Sequence, residues 1–318
     1  MSAAPAQPGS NAEPTWEGRQ VQSYHGQPVL KEPIWTWEIP TYFFTGGIAG
    51  ASAGLAALAA ARGNQVLARR AWSVATAGIM VSPALLISDL GRPTRFLNML
   101  RMYKVTSPMS VGSWILAGSG AFTSAAALHA WTGALPRTAR IAGPAAAVLG
   151  LPLSSYTAAL IANTAVPAWH QGRRQLPFMF ASGAALSAGA ASVIATPTKH
   201  AAPARRLALG GAVCELGASV ALEKAVGEHA RAYKSGAAGM LRLVTRTTLA
   251  AGAALLVNRG RDSRAASAGA GALLLTGALA ARWHVFKAGV QSASDPAAVI
   301  GPQRAAVDRG ERRGAARR

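Results

Sequence analysis

The sequence predicts an all-α integral membrane protein with about eight transmembrane helices, arranged as an N-terminal four-helix bundle followed by a second helical half. Three observations carry that expectation. Uncharged stretches run over residues 39–61, 71–88, 105–136 (interrupted by His129), 141–169, 175–198 and 265–281, and runs of about 18 or more such residues match a hydrocarbon core of roughly 30 Å. Arg and Lys crowd the short gaps between these stretches, as they do in headgroup-facing loops. Two weaker segments, 207–226 with Glu215 and Glu223 inside it and 243–257 with Arg246, complete the set. The division expected from this pattern is a flexible tail over 1–33, a bundle over 34–170, a second half over 171–284 and a basic flexible tail over 285–318.

Taken in order, the first 33 residues are rich in Pro, Gly, Ala and Gln, with neither a basic n-region nor an apolar h-region, so they do not read as a signal peptide. The first helix opens on Trp35, Trp37, Glu38, Pro40 and Tyr42. Paired tryptophans at this position read as interfacial anchors, while Glu38 and Tyr42, four residues apart, share a helix face. Gly46, Gly47, Gly50 and Gly54 follow as a stripe that lets another helix approach closely. No strand precedes it and no Lys-Ser/Thr follows, so it is packing and not a phosphate loop.

The second helix ends on Asp89, and Gly91 and Pro93 stop it there. A negative charge at a helix C-terminus opposes the macrodipole, so Asp89 is poorly placed for stability and well placed to exchange protons; the alternative is that it pairs with Arg92 or Arg95. The following loop, 91–106, carries Arg92, Arg95, Arg101 and Lys104. These either dock an acidic partner surface or meet lipid headgroups. The third helix begins at Pro108, where a missing N–H costs little, with Trp114 in its first turns. The fourth contains Pro152 and, two turns before its end, Tyr156. Its exit runs through Trp169 and His170.

If the chain crosses at each run, Glu38, Tyr42, Asp89, Trp114, Tyr156 and His170 all fall at one membrane edge of the first four helices. That convergence of protonatable and aromatic groups is a site signature. In the second half, Glu215, Glu223 and Arg246 are suspects for a proton path, or Glu215 simply satisfies Arg246 across a helix contact. The short loops 62–70, 134–140, 198–206 and 258–264 hold the denser basic charge and predict their face to be cytoplasmic.

Composition removes several function classes. The chain has 318 residues and a formal net charge of +20, yet the basic residues are neither gathered on one element nor mixed with stacking aromatics, which argues against nucleic acid. A single cysteine, Cys214, builds no iron–sulfur cluster, and the six histidines show no metal spacing. Five of them, His25, His170, His200, His229 and His284, fall in expected tails, loops or helix ends, so neither metal nor haem is expected.

Four motifs in a fixed order resemble the NrfD/polysulfide reductase membrane-subunit family. They are the Trp-x-Trp opening with its Tyr-Phe-Phe and glycine stripe, Asp89-Leu90-Gly91-Arg92-Pro93-Thr94-Arg95-Phe96, Ser107-Pro108-Met109-Ser110-Val111-Gly112-Ser113-Trp114, and Tyr156-Thr157 followed by Pro167-x-Trp169 and Leu176-Pro177. The resemblance covers about residues 34–185. It implies a haem-free, quinone-binding subunit of a respiratory oxidoreductase in the cell inner (plasma) membrane, using menaquinone or ubiquinone. The implied partners are a four-cluster ferredoxin-like iron–sulfur subunit and, beyond it, a molybdopterin catalytic subunit. Tyr156 would then hydrogen-bond a quinone carbonyl and Asp89 would exchange protons. The first-helix contacts would fall near Glu38 and Tyr42. This sequence has Ala158 where the family often has glycine after Tyr-Thr. Two other classes remain open from the residues themselves: a proton-coupled transporter or channel, suggested by Pro152, Glu215 and Arg246 at depth, and a membrane anchor without quinone chemistry. Matched broken helices in two repeated halves would mark the transporter, whereas the polar groups here collect at one edge of one half.

Overall fold

The structure is a computed structural model that describes residues 15–16, 19–20, 30–31, 33–227 and 230–295. Thr15–Trp16 and Arg19–Gln20 form a two-residue antiparallel pairing; all else of regular structure is helical. The helices are α1 (Glu38–Ala61), α2 (Gln65–Asp89), α3 (Arg95–Arg101), α4 (Pro108–Thr132), α5 (Pro136–Ala162), α6 (Pro167–Gln171), α7 (Leu176–Ala195), α8 (Ala202–Ala225), α9 (Ala230–Lys234), α10 (Gly236–Arg259) and α11 (Arg264–Ser294). Seven of them, α1, α2, α4, α5, α7, α10 and α11, are long and apolar enough to cross a membrane. The eighth expected crossing, α8, has the length at 24 residues but is too polar to be among the seven, because Arg205, Arg206, Glu215, Glu223 and Lys224 lie along it.

The packing nevertheless treats α8 as a crossing. The buried apolar residues fall into two clusters. One collects the starts of α1, α4, α7 and α10 and the ends of α2, α5, α8 and α11, from Ile39 and Leu85 to Val226 and Ala293. The other collects the opposite ends, from Leu67 and Ala127 to Ala204 and Leu256. Strict alternation of this kind requires eight antiparallel passes, with α8 taking its turn between α7 and α10.

Helix α1 is the hub. It packs against α2, α5, α7 and α11, so the two halves share one interior. Where it crosses α5, Gly50 and Gly150 face each other backbone to backbone, and a Cβ on either would strike the other's carbonyl. At Gly50 the glycine stripe thus does what its spacing predicts and lets another helix approach backbone to backbone.

Helix ends follow their local chemistry. Asn64 caps α2 by accepting from the Leu67 N–H at 3.1 Å, and Ser107 caps α4, whose first residue is Pro108. Gly91 stands just past α2 with φ +67°, the left-handed conformation that ends a helix at no steric cost.

Two expectations are corrected. The segment 91–106 is not a plain loop: α3 forms within it. The last helix also does not stop at residue 284, where the second half was expected to give way to a tail, since α11 continues ten residues further, to Ser294. His284, expected at a helix end, is 2% exposed inside that helix, with Nδ1 2.9 Å from the Ala238 carbonyl oxygen. The tails beyond, 1–14 and 296–318, lie outside the described residues.

Candidate functional site

The first cluster of the core opens into a small cavity of about 60 Å³ at the membrane edge, lined by Trp35, Ile39, Tyr42, Leu86, Asp89, Met99, Met109, Ser113 and Tyr156 among others. Each element contributes for a local reason. Ile39 and Tyr42, three residues apart, share one face of the first turns of α1, and Trp35 comes from the non-helical segment that leads into that helix. Asp89 arrives because α2 stops there. Tyr156 comes from the last two turns of α5 and is admitted by Gly112 of α4, where any Cβ would occupy the position of the tyrosine ring.

Tyr42 is 1% exposed, and its ring meets that of Tyr156 edge to face at 6.4 Å. Its hydroxyl is buried with no hydrogen-bond partner. An orphaned buried hydroxyl costs about 1–3 kcal/mol, so it marks a place where a ligand acceptor would be stabilised. Asp89 is half-buried and faces Glu38 and the backbone N–H of Thr36. Glu38 accepts from the Thr36 hydroxyl. One carboxyl group and two phenols therefore line one apolar space, with the Glu38 carboxyl beside Asp89.

Trp35 also borders a second cavity of about 340 Å³, lined by Lys31, Ile34, Val166 and Trp169 among others. Its ring stacks on Trp169 at 5.8 Å. Trp169 is fully buried, donates its indole N–H to the Val285 carbonyl at 2.8 Å and leans on Phe286. Tyr233 of α9 closes the region from below, donating to the Ala168 carbonyl at 3.3 Å, and burial pushes its phenol well above the ordinary tyrosine range.

Of the residues expected at the site, Tyr42, Asp89 and Tyr156 line one cavity, and Glu38 adjoins it. Trp114 does not line it. It is 43% exposed, hydrogen-bonds the Met102 carbonyl at 3.4 Å and packs on Tyr103, holding the α3–α4 segment. His170 is exposed on α6 and lines neither cavity. Arg92, Arg95, Arg101 and Lys104 are all exposed around α3, on the same edge as Asp89.

Sequence reasoning missed Trp35, Ser113 and Met99 as lining residues. No helical spacing marked Trp35, because it precedes α1; it lines the cavity and is not merely an anchor, whereas Trp37 is 57% exposed as an anchor would be.

The expected pairing of Glu215 with Arg246 is not what forms. Arg246 and Arg242 both bind Glu223, at 2.8 and 2.6 Å. Glu215, fully buried, accepts from Ser182 at 3.0 Å and lies 3.9 Å from Arg282. Arg282 in turn donates to the Phe180 carbonyl at 2.7 Å and sits over the Phe180 ring at 4.2 Å. Gly183 leaves the room for this pair. The three polar groups expected along one path thus divide into two separate ion clusters. Among the described residues no group of three or more His, Cys, Asp or Glu side chains forms a metal site.

The sequence profile of a family described as polysulfide reductase, of the NrfD type, matches residues 22–294. No curated protein and no solved structure matches the chain.

Proposed function

Because the chain belongs to the NrfD-type polysulfide reductase family, and is thus a multi-pass membrane subunit of an oxidoreductase complex, we propose that it binds quinone or quinol at the Tyr42–Asp89–Tyr156 cavity. The single observation that carries this reading is the buried, unpartnered Tyr42 hydroxyl beside a second phenol and a carboxyl group. A quinone is apolar apart from two carbonyl oxygens. It needs a greasy cleft at the membrane edge, donors for those oxygens and groups that trade the two protons accompanying two electrons.

In this reading Tyr42 and Tyr156 donate hydrogen bonds to the quinone oxygens. Asp89 takes a proton when quinol is oxidised and supplies one when quinone is reduced, with Glu38 beside it as the link toward the aqueous edge. Trp35 and Ile39 form the apolar wall. The 340 Å³ cavity that shares Trp35 receives the substituent side of the molecule. Electrons cross to a partner, a four-cluster iron–sulfur subunit that docks over α3, where exposed Arg92, Arg95, Arg101 and Lys104 meet an acidic surface. A molybdopterin catalytic subunit lies beyond it, and the whole complex belongs to a respiratory chain in the plasma membrane.

The test uses the purified complex. Tyr42→Phe, Tyr156→Phe and Asp89→Asn are each expected to lower quinol-linked turnover by about tenfold or more while artificial-dye activity of the soluble subunits stays intact. Tyr42→Phe is expected in addition to leave thermal stability unchanged or raised, since it removes a hydroxyl that has no partner. Unchanged quinol turnover in all three variants removes the cavity from the mechanism.

A further inference from the structure

A cavity larger than either of those at the candidate quinone site lies at the opposite membrane edge. It has a volume of about 710 Å³ and is bounded by α1, α5, α7 and α8. Its walls are apolar: Gly54 and Leu58 of α1, Leu151 of α5, Ala185 of α7 and Leu207 of α8. A Cβ on Gly54 would meet nothing within 4 Å, so the missing side chain at that position is part of the open space. At the end where α1 finishes and α8 begins, the rim changes character to Arg62, Asn64 and Arg206.

Dimensions and charge together identify an occupant. Twelve residues of α1 separate Gly50 from Arg62, which at the helical rise is about 18 Å. That is the depth of one leaflet, roughly half of a 30 Å hydrocarbon core, plus its headgroup layer. The apolar wall therefore begins near the bilayer centre, and the two guanidinium groups stand at headgroup height. Both are exposed, and neither has an ion-pair or side-chain hydrogen-bond partner among the described residues. Arg205 lies close to Arg206, and Arg261 close to Arg205, so the positive field extends beyond the rim. Asn64 is already committed, accepting from the Leu67 N–H and donating to the His200 carbonyl at 2.9 Å, so the arginines are the free donors. Charge-assisted, bidentate contacts make arginine well suited to a phosphate.

We propose that this cavity binds one molecule of an anionic phospholipid, with an acyl chain along Gly54, Leu58 and Leu151 and its phosphate held between Arg62 and Arg206. A net-negative headgroup is favoured over a zwitterionic one because two arginines face the mouth with no carboxylate paired to either, and Arg205 adds its charge beside Arg206. The lipid fills a wedge that the protein leaves open between α1 and α8 and joins the two helical halves on the face opposite the quinone cavity.

The experiment is native mass spectrometry of the purified complex during stepwise delipidation, with phosphatidylglycerol and phosphatidylcholine of identical acyl chains supplied in turn. Retained phosphatidylglycerol at one molecule per chain, outlasting phosphatidylcholine, is the expected result. Arg62→Gln with Arg206→Gln is expected to lower phosphatidylglycerol retention about 30-fold, to the level of phosphatidylcholine. Gly54→Leu, which points into open space and improves helix propensity, is expected to displace both lipids without loss of folded protein. Equal retention of the two lipids overturns the proposal, as does retention that survives either change. Loss of phosphatidylglycerol to millimolar inorganic phosphate also overturns it, because the site would then read a free anion. Should Gly54→Leu reduce the folded yield, the exposed arginine pair carries the test alone. Quinol turnover is not the readout, so failure here is distinct from failure of the quinone reading.

Discussion

At the scale of single residues, the candidate site depends on a glycine as much as on its phenols. Gly112 has no catalytic atom, yet its lack of a Cβ is what allows the Tyr156 ring to lie against α4 and face Tyr42. Gly112→Ala is therefore expected to push Tyr156 aside and lower quinol-linked turnover as far as Tyr156→Phe does, with dye-linked activity intact. Restored turnover in Gly112→Ala on a detergent-stable complex would show that the ring tolerates displacement. The sequence displayed Tyr156, Asp89 and Tyr42 openly, because polar groups near the ends of apolar runs stand out. It displayed Gly112 and Ser113 only as small residues within the Ser107–Trp114 motif, with no sign that either borders a cavity. Which neighbour a small side chain makes room for is a fact about the other helix.

At the scale of elements, α8 shows how a polar helix is accommodated among apolar ones. Its two glutamates are eight residues apart, about 12 Å along the axis, too far for one arginine to serve both. Arg242 and Arg246 of α10 settle on Glu223, and Glu215 is left to Arg282 of α11 and Ser182 of α7. The sequence pointed to the right acidic residues and the wrong partner, since Arg282 stands just past the last uncharged run and looks like a loop cation. Removing one member of a buried pair costs about 3–5 kcal/mol, whereas replacing both is far cheaper. Arg282→Met is accordingly expected to lower the unfolding temperature sharply, and Glu215→Gln with Arg282→Met to recover most of the loss, measured by thermal scanning in detergent. Equal loss in both would mean that Arg282 matters through its contact with Phe180 and the helix carbonyls, not through Glu215.

At the scale of the whole molecule, the two halves are locked through Trp169. Its ring is held between Trp35 and Phe286 and occupies the space where a side chain on Gly289 would stand. Gly289→Ala is expected to destabilise the protein by about 1–3 kcal/mol through overpacking and, by displacing Trp35, to reduce quinol turnover as well. A thermal scan paired with turnover checks both. Stability lost without any change in turnover would show that the Trp35 wall does not depend on the second half. The interior that sequence analysis divided at residue 170 is continuous here, because α1 touches both α7 and α11.

The alternation of long apolar helices, the stop at Asp89, the start at Pro108 and the set of candidate polar residues came from the order of residues alone. A hydrocarbon core demands long uncharged runs, and Gly, Pro, Ser and Asn at their ends act on the backbone within one turn. Partners did not come from it. That Tyr42 lacks one, that Glu215 meets Arg282, that Trp35 faces a cavity while Trp114 faces a loop, and that Arg62 and Arg206 stand together at the mouth of another, all depend on how helices rotate and approach. Those rotations are settled by close packing between elements far apart in the chain, where one missing Cβ decides which side chain occupies a space.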